Sequence, residues 1–190
     1  MARRSKNQLN MLVIHKQFII VAHRDFLHHY LSHETREELL DFIAEIRPVR
    51  PDGTLIDGNP LDFSLQNMQV YLDLFMEYFN SSYPLIHVAT LDINLTDPVA
   101  LLSMILSGAT FKDKDSHQLS VCLYDAIIPY ILSGLLGSRV PDLSILQACL
   151  ILECYGMYRA GPYQRENAIL IHGLLLNVRA LGIRNPGNLI

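Results

Sequence analysis

From Pro98 to Phe111 the chain carries no charged side chain, and nearly every residue in that run is apolar or small. Asp97-Pro98 opens it as a helix. The aspartate can cap free N–H groups, and proline is tolerated at the first helical position because its missing N–H would be unpaired there anyway. A helix that is apolar nearly all round must be covered on every side. The run is shorter than the ~20 residues a helix needs to cross a bilayer, so the covering has to be protein. This segment therefore calls for a multi-helix body with itself at the centre.

The rest of the chain supplies such helices. Thr35-Arg-Glu-Glu38 reads as a capping box, followed by Leu39, Leu40, Ile43 and Ile46 on one face and by Pro48 as a stop. A turn-rich connector to Pro60 contains Asp52-Gly53 and Asp57-Gly58. Ser64 to Asn80 repeats Leu65, Met68, Leu72, Phe75, Met76 and Phe79 at helical spacing. Ser116 is expected to cap a helix from Leu119 to about Leu136, which Pro129 should kink or end. Asp142 should cap the next, with Leu143, Leu146, Leu150 and Tyr155 on its face. Gly161-Pro162 opens a last helix, with Ala168, Ile171, Leu175 and Val178 on one stripe and Gly182 as its stop. Tyr83 to Leu91 is a β signal too short and too interrupted to anchor a sheet. The expectation is an all-α fold of about six to seven helices: an N-terminal arm over 1–33, a helical domain over 34–183 and a tail over 184–190.

Composition narrows the class. The chain has 190 residues, 50% of them hydrophobic and 18% charged, with 15 Lys and Arg against 19 Asp and Glu, a net charge of −4. A mean hydropathy of +0.20 is too apolar for a disordered chain, and the length suits one domain. Cys122, Cys149 and Cys154 are odd in number and lie in apolar helical segments, as reduced packing thiols do. The basic start, Met-Ala-Arg-Arg-Ser-Lys, is not followed by the apolar stretch of a secretory signal and could form part of a nuclear import signal.

The familiar catalytic arrangements are missing from the sequence. Gly-x-Ser-x-Gly does not occur, and Ser107-Gly108 and Ser133-Gly134 sit inside helical runs where small residues permit close packing. Asp73 and Glu77 are four apart, as many solvated acidic pairs are, and neither Asp-Gly turn leads into a phosphate-binding Gly-Lys-Ser/Thr. Five of the eight histidines lie in the arm. His29 and His33, with Phe26 ahead of them, have the spacing of the helix half of a two-Cys, two-His finger. The thiolates of such a finger would fall near Val13 and Lys16, so no zinc site closes here. Lys and Arg are scattered rather than striped, which makes the chain alone a poor DNA binder.

Several segments, in order, resemble one family. Leu72-Asp-Leu-Phe-Met-Glu-Tyr-Phe-Asn80 followed by Tyr83-Pro84-Leu-Ile-His87 resembles the opening of the fungal-specific transcription factor domain, the regulatory part of fungal zinc-cluster and zinc-finger activators. Pro98 to Ala109, ending in Gly108-Ala109, resembles its next helix. Asp142 to Leu152, with Leu146-Gln147-Ala148, and Ala168 to Ile183, closing in Ala-Leu181-Gly182-Ile, resemble two later ones. Glu153 to Ala168, containing Tyr155 and Gly161, looks most like the subgroup whose DNA-binding part is a pair of two-Cys, two-His fingers. The motif positions, structural rather than catalytic, are Phe75, Tyr83, Pro84, His87, Gly108, Leu146, Gln147, Tyr155, Gly161, Leu181 and Gly182.

The resemblance implies a nuclear, helical regulatory module that meets other proteins, an effector or itself through exposed apolar helical faces. It implies no cofactor in this chain and no membrane; zinc and DNA belong to a finger module missing here. It also implies that these helices form the N-terminal portion of a larger domain. Two other readings stand beside it. One is a small helical ligand-binding protein or enzyme with Tyr83, His87, Tyr155 and Arg159 in its pocket; the other is a DNA-binding protein acting through the arm.

Overall fold

The computed structural model describes residues 30–56, 62–137 and 142–183, so the arm's His29, Val13 and Lys16 and the Asp57-Gly58 turn lie outside the described residues. Helix α1 spans His33–Ile46. Ser32 caps it, its Oγ accepting from the Thr35 N–H at 3.1 Å. Thr35 is therefore inside the first turn and not the cap. Its own hydroxyl is buried and donates to Asn94 Oδ1 at 2.9 Å, while Asn94 also accepts from the Ser32 N–H at 2.9 Å. The core reaches back to Leu31, which is buried and donates its N–H to Gln69 Oε1 at 2.9 Å.

At the other end of α1, Arg47 takes a left-handed conformation, φ 51° and ψ 57°, and returns its N–H to the Ile43 carbonyl. It is the one non-glycine with positive φ among the described residues. The next residue, Pro48, has no N–H to cap a further carbonyl of the last turn. A tight turn follows, with Gly53 at φ 84° and one isolated bridge between Val49 and Leu55.

Helix α2, Leu65–Leu74, is capped by Ser64 and widens into a π-helical turn over Phe75–Asn80. Short 3₁₀ turns at Val88–Thr90 and Ile93–Leu95 stand where the β signal was weak. Helix α3, Pro98–Ala109, begins at its Asp97 cap as expected, and every residue from Val99 to Ala109 is buried. It packs against α1, α2, α4 (Lys114–Gly137) and α5 (Leu143–Tyr158). Helix α6, Pro162–Ile183, lies on α5 and α4. The molecule is all-α, with α3 as its hub.

Three expectations about helices need correction. Asp113, not Ser116, caps α4: its carboxylate accepts from the Ser116 N–H at 2.8 Å. The Ser116 hydroxyl is instead buried and lies 3.2 Å from the Tyr71 hydroxyl. Pro129 does not end α4, which runs through it unbroken; Tyr124, Ile127, Ile128, Ile131 and Leu135 keep it packed on both sides of the proline. On α5, Leu143 and Leu150 face solvent, while Ala148, Cys149, Ile151, Leu152, Tyr155 and Gly156 form the buried side. Because α4 is continuous, Lys114–Leu136 has the length and apolarity to cross a bilayer; here it serves as a core helix, with Leu123, Tyr124, Ile127 and Ile131 inside.

The Asp113 cap gives a prediction. Hydrogen bonds from Ser116 hold the Asp113 carboxyl below its usual range. Asp113→Ala should cost about 1 kcal/mol at neutral pH. A depressed carboxylate stabilises the fold above its unfolded pKa, and that contribution fades as pH falls through the folded one. Urea unfolding of both proteins should therefore show the difference in full above about pH 5 and shrinking below about pH 4.

Candidate interaction surfaces and ligand cleft

The central helix offers no nucleophile. Ser103 and Ser107 are buried and donate to the Val99 and Ser103 carbonyls at 2.7 and 2.8 Å, bonds that satisfy the hydroxyls within the helix itself. The three cysteines are free thiols. Burial raises the pKa of each, that of Cys149 to about 12, so all three are protonated at neutral pH and chemically quiet. Among the described residues no three His, Cys, Asp or Glu side chains are grouped to hold a metal ion.

The four residues of the enzyme reading do not converge. Tyr155 is wholly buried against Tyr124, ring centroids 5.1 Å apart. Its hydroxyl has no hydrogen-bond partner, and burial, then the Asp125 charge, push its pKa up. His87 is exposed, with Nδ1 3.0 Å from the Thr90 hydroxyl. Tyr83 stacks on Tyr158 at 5.7 Å. Arg159 lies over the Phe111 ring at 4.2 Å, a cation–π contact in place of an ion pair. Glu153, a carboxylate within reach of Arg159 in the sequence, instead holds His172 Nδ1 at 2.7 Å.

The motif residues form a scaffold. Phe75 is buried and stacks on Phe79 at 5.2 Å, and Phe79 leads to Tyr83 at 5.6 Å. Phe75 and Phe79 stand at helical spacing in the sequence, and Tyr83 extends the series beyond the expected break. Pro84 is exposed beyond it. Leu146 is partly buried against the core and Gln147 half-buried beside it. A Cβ on Gly161 would lie 3.1 Å from Gln164 Oε1. Leu181 and Gly182 stand in the last turn of α6, so Gly182 does not stop the helix; their side-chain surroundings lie outside the described residues. Gly108 is where α3 crosses α2: a Cβ there would sit 1.8 Å from the Tyr71 carbonyl oxygen and 2.8 Å from the Phe75 nitrogen.

Two placements escaped the sequence. The first is where the expected exposed apolar faces lie: Leu143 and Leu150 on α5, and Ile169, Leu170 and Leu176 on α6, the latter three each at least half exposed, the lowest at 50%. Apolarity on several sides of these helices hid which face would be left uncovered. The second is a cleft of about 430 Å³ between the end of α1 and the middle of α4. Glu45, Arg47, Cys122, Asp125, Pro129 and Tyr130 are among its walls.

Against this architecture stand the comparisons. The profile of the fungal specific transcription factor domain matches residues 72–184. The chain belongs to this family. It is 40% identical over 149 residues, 78% of its length, to the nicotinate catabolism cluster-specific transcription factor of Emericella nidulans. The chain spans only 17% of that relative. No solved structure matches. The family match begins at Leu72, one turn before the aromatic ladder, and takes in the π turn, α3, α4, α5 and α6. The chain is thus a helical regulatory module of a fungal transcription factor, and the uncoupled Tyr83, His87, Tyr155 and Arg159 give the enzyme reading no support.

Proposed function

We propose that the module works by contact with other polypeptide, through the outward apolar stripe of α6, in a nuclear factor with no catalytic activity of its own in this region. The observation that carries it is the exposure of Ile169, Leu170 and Leu176 on a helix whose opposite side, Ala168 and Ile171, is fully buried. Apolar surface in continuous patches favours association, at roughly 25 cal/mol per Å² removed from water. Zinc and DNA binding belong, on this reading, to a two-Cys, two-His finger module outside the chain. The name of the Emericella relative supports a parent factor dedicated to one gene cluster.

Light scattering on the purified chain tests the contact. We expect a mass above the 21.6 kDa of one chain, rising with concentration, and a return to one chain in Ile169→Glu, Leu170→Glu, with helical circular dichroism unchanged. A wild-type protein that stays a single chain at high concentration overturns the proposal.

A further inference from the structure

We propose that the cleft between α1 and α4 is a binding site for a small planar acid that also carries an N–H donor, with Arg47 holding its carboxylate and Asp125 accepting from its nitrogen. Small-molecule sites typically enclose about 300–1,000 Å³, and this cleft, at about 430 Å³, lies within that range.

Three charged side chains line the cleft, Glu45, Arg47 and Asp125, and no two of them form an ion pair. Arg47 makes no ion pair or side-chain hydrogen bond among the described residues, whereas its neighbour Arg50 is already held by Asp62 at 2.8 Å. Across the cleft, Asp125 is met by a neutral amide only, Gln164 Nε2 at 3.0 and 3.2 Å. Cleft walls that strip water from the Asp125 carboxyl push its pKa up, an effect the Gln164 hydrogen bond partly offsets. A ligand N–H placed there supplies the donor that the protein does not.

Backbone chemistry reinforces both ends. Pro129 brings no N–H to the Asp125 carbonyl four residues before it, so the turn that presents the carboxylate lacks that carbonyl's regular helical donor. Arg47 sits in a conformation that glycine or asparagine would occupy with less strain. Strain of that kind clusters at ligand-holding positions, and a guanidinium is the side chain that grips a carboxylate with two parallel hydrogen bonds. The flat wall is Tyr130, whose ring is steadied by the edge of Phe42 at 5.0 Å. The floor includes the protonated Cys122 thiol.

The site adds an effector to the regulatory reading, and the two can fail separately because the cleft and the α6 stripe are read by different experiments. Titrate ¹⁵N-labelled protein with 4-aminobenzoate, benzoate and aniline, following amide shifts. The first should move the amides of 45–49 and 122–130 with a Kd of about millimolar, ordinary for a ligand of ~10 heavy atoms. Benzoate and aniline, each lacking one end, should bind at least about tenfold more weakly, one charge-assisted hydrogen bond being worth that much. Arg47→Gly keeps the left-handed turn and should melt no lower than wild type while weakening 4-aminobenzoate about tenfold. Asp125→Ala, on an open wall of the cleft, should do the same to binding. The inference is overturned by equal binding of all three compounds, by shifts elsewhere, by none, or by variants that bind as wild type does.

Discussion

Replacing Gly108 by alanine is expected to destabilise the module by about 3–5 kcal/mol, enough to remove much of a stability that for single domains is about 5–15 kcal/mol. The reason is backbone contact. The new methyl would stand 1.8 Å from the Tyr71 carbonyl oxygen and 2.8 Å from the Phe75 nitrogen, and neither atom can swing away as a side chain could. These are the peptide groups where α2 passes into its π turn: the Phe75 N–H is shared between the Tyr71 and Leu72 carbonyls. Separating α2 from α3 would open the core around Met68, Leu72 and Phe75, all fully buried. Alanine's better helix propensity returns only about 1 kcal/mol. Gly134→Ala is the matched control, because its methyl meets Ile145 Cδ1 at an ordinary 3.5 Å; it should leave stability unchanged or raise it by up to about 1 kcal/mol. Urea unfolding followed by circular dichroism separates the two, and equal midpoints would show that α2 and α3 are not locked at Gly108.

Gly108 also marks what was legible in the sequence and what was not. Its place at the end of an apolar run could be read, and so could the centrality of α3, because a helix without a polar face has one solution. The partner that makes glycine obligatory comes from α2, more than thirty positions earlier in the chain, and no local pattern points to it. Caps failed in a consistent way. At α1 and α4 two candidate caps stand three residues apart, Ser32 with Thr35 and Asp113 with Ser116. In both cases the later hydroxyl was taken by a distant partner, Asn94 or Tyr71, so tertiary contacts chose the helix start. Periodicity likewise could not choose the buried side of α5. With Leu143, Leu146 and Leu150 on one face and Ala148, Ile151 and Leu152 on another, either could have turned inward, and packing against α3 and α6 decided it. The cleft was the least legible feature, since Arg47 and Asp125 are brought together only when α1 and α4 meet.

Gly156→Ala should have the second-largest effect, about 2–4 kcal/mol, and should act on one part of the molecule. A methyl there would lie 2.7 Å from the Gln164 carbonyl oxygen, 2.7 Å from the Tyr124 hydroxyl and 2.8 Å from the Ala168 methyl. Those atoms form the joint that holds the first turns of α6. Tyr124 donates its hydroxyl to the Gln164 carbonyl at 3.0 Å, and the Gln164 amide donates in turn to Asp125. Tyr124 and Gln164 are buried, so breaking the bond between them leaves a donor and an acceptor unpaired, each costing about 1–3 kcal/mol. None of the three nearest atoms belongs to α3, which should keep its packing. Amide hydrogen exchange reads the difference: protection should fall first from Gln164 to Ile171, while Leu101 to Ile105 lose protection only with global unfolding. Uniform loss across both segments would mean that α6 is not a separately releasable element. Selective loss would make α6 the movable part of the module, tied through Gln164 to the carboxylate that lines the cleft.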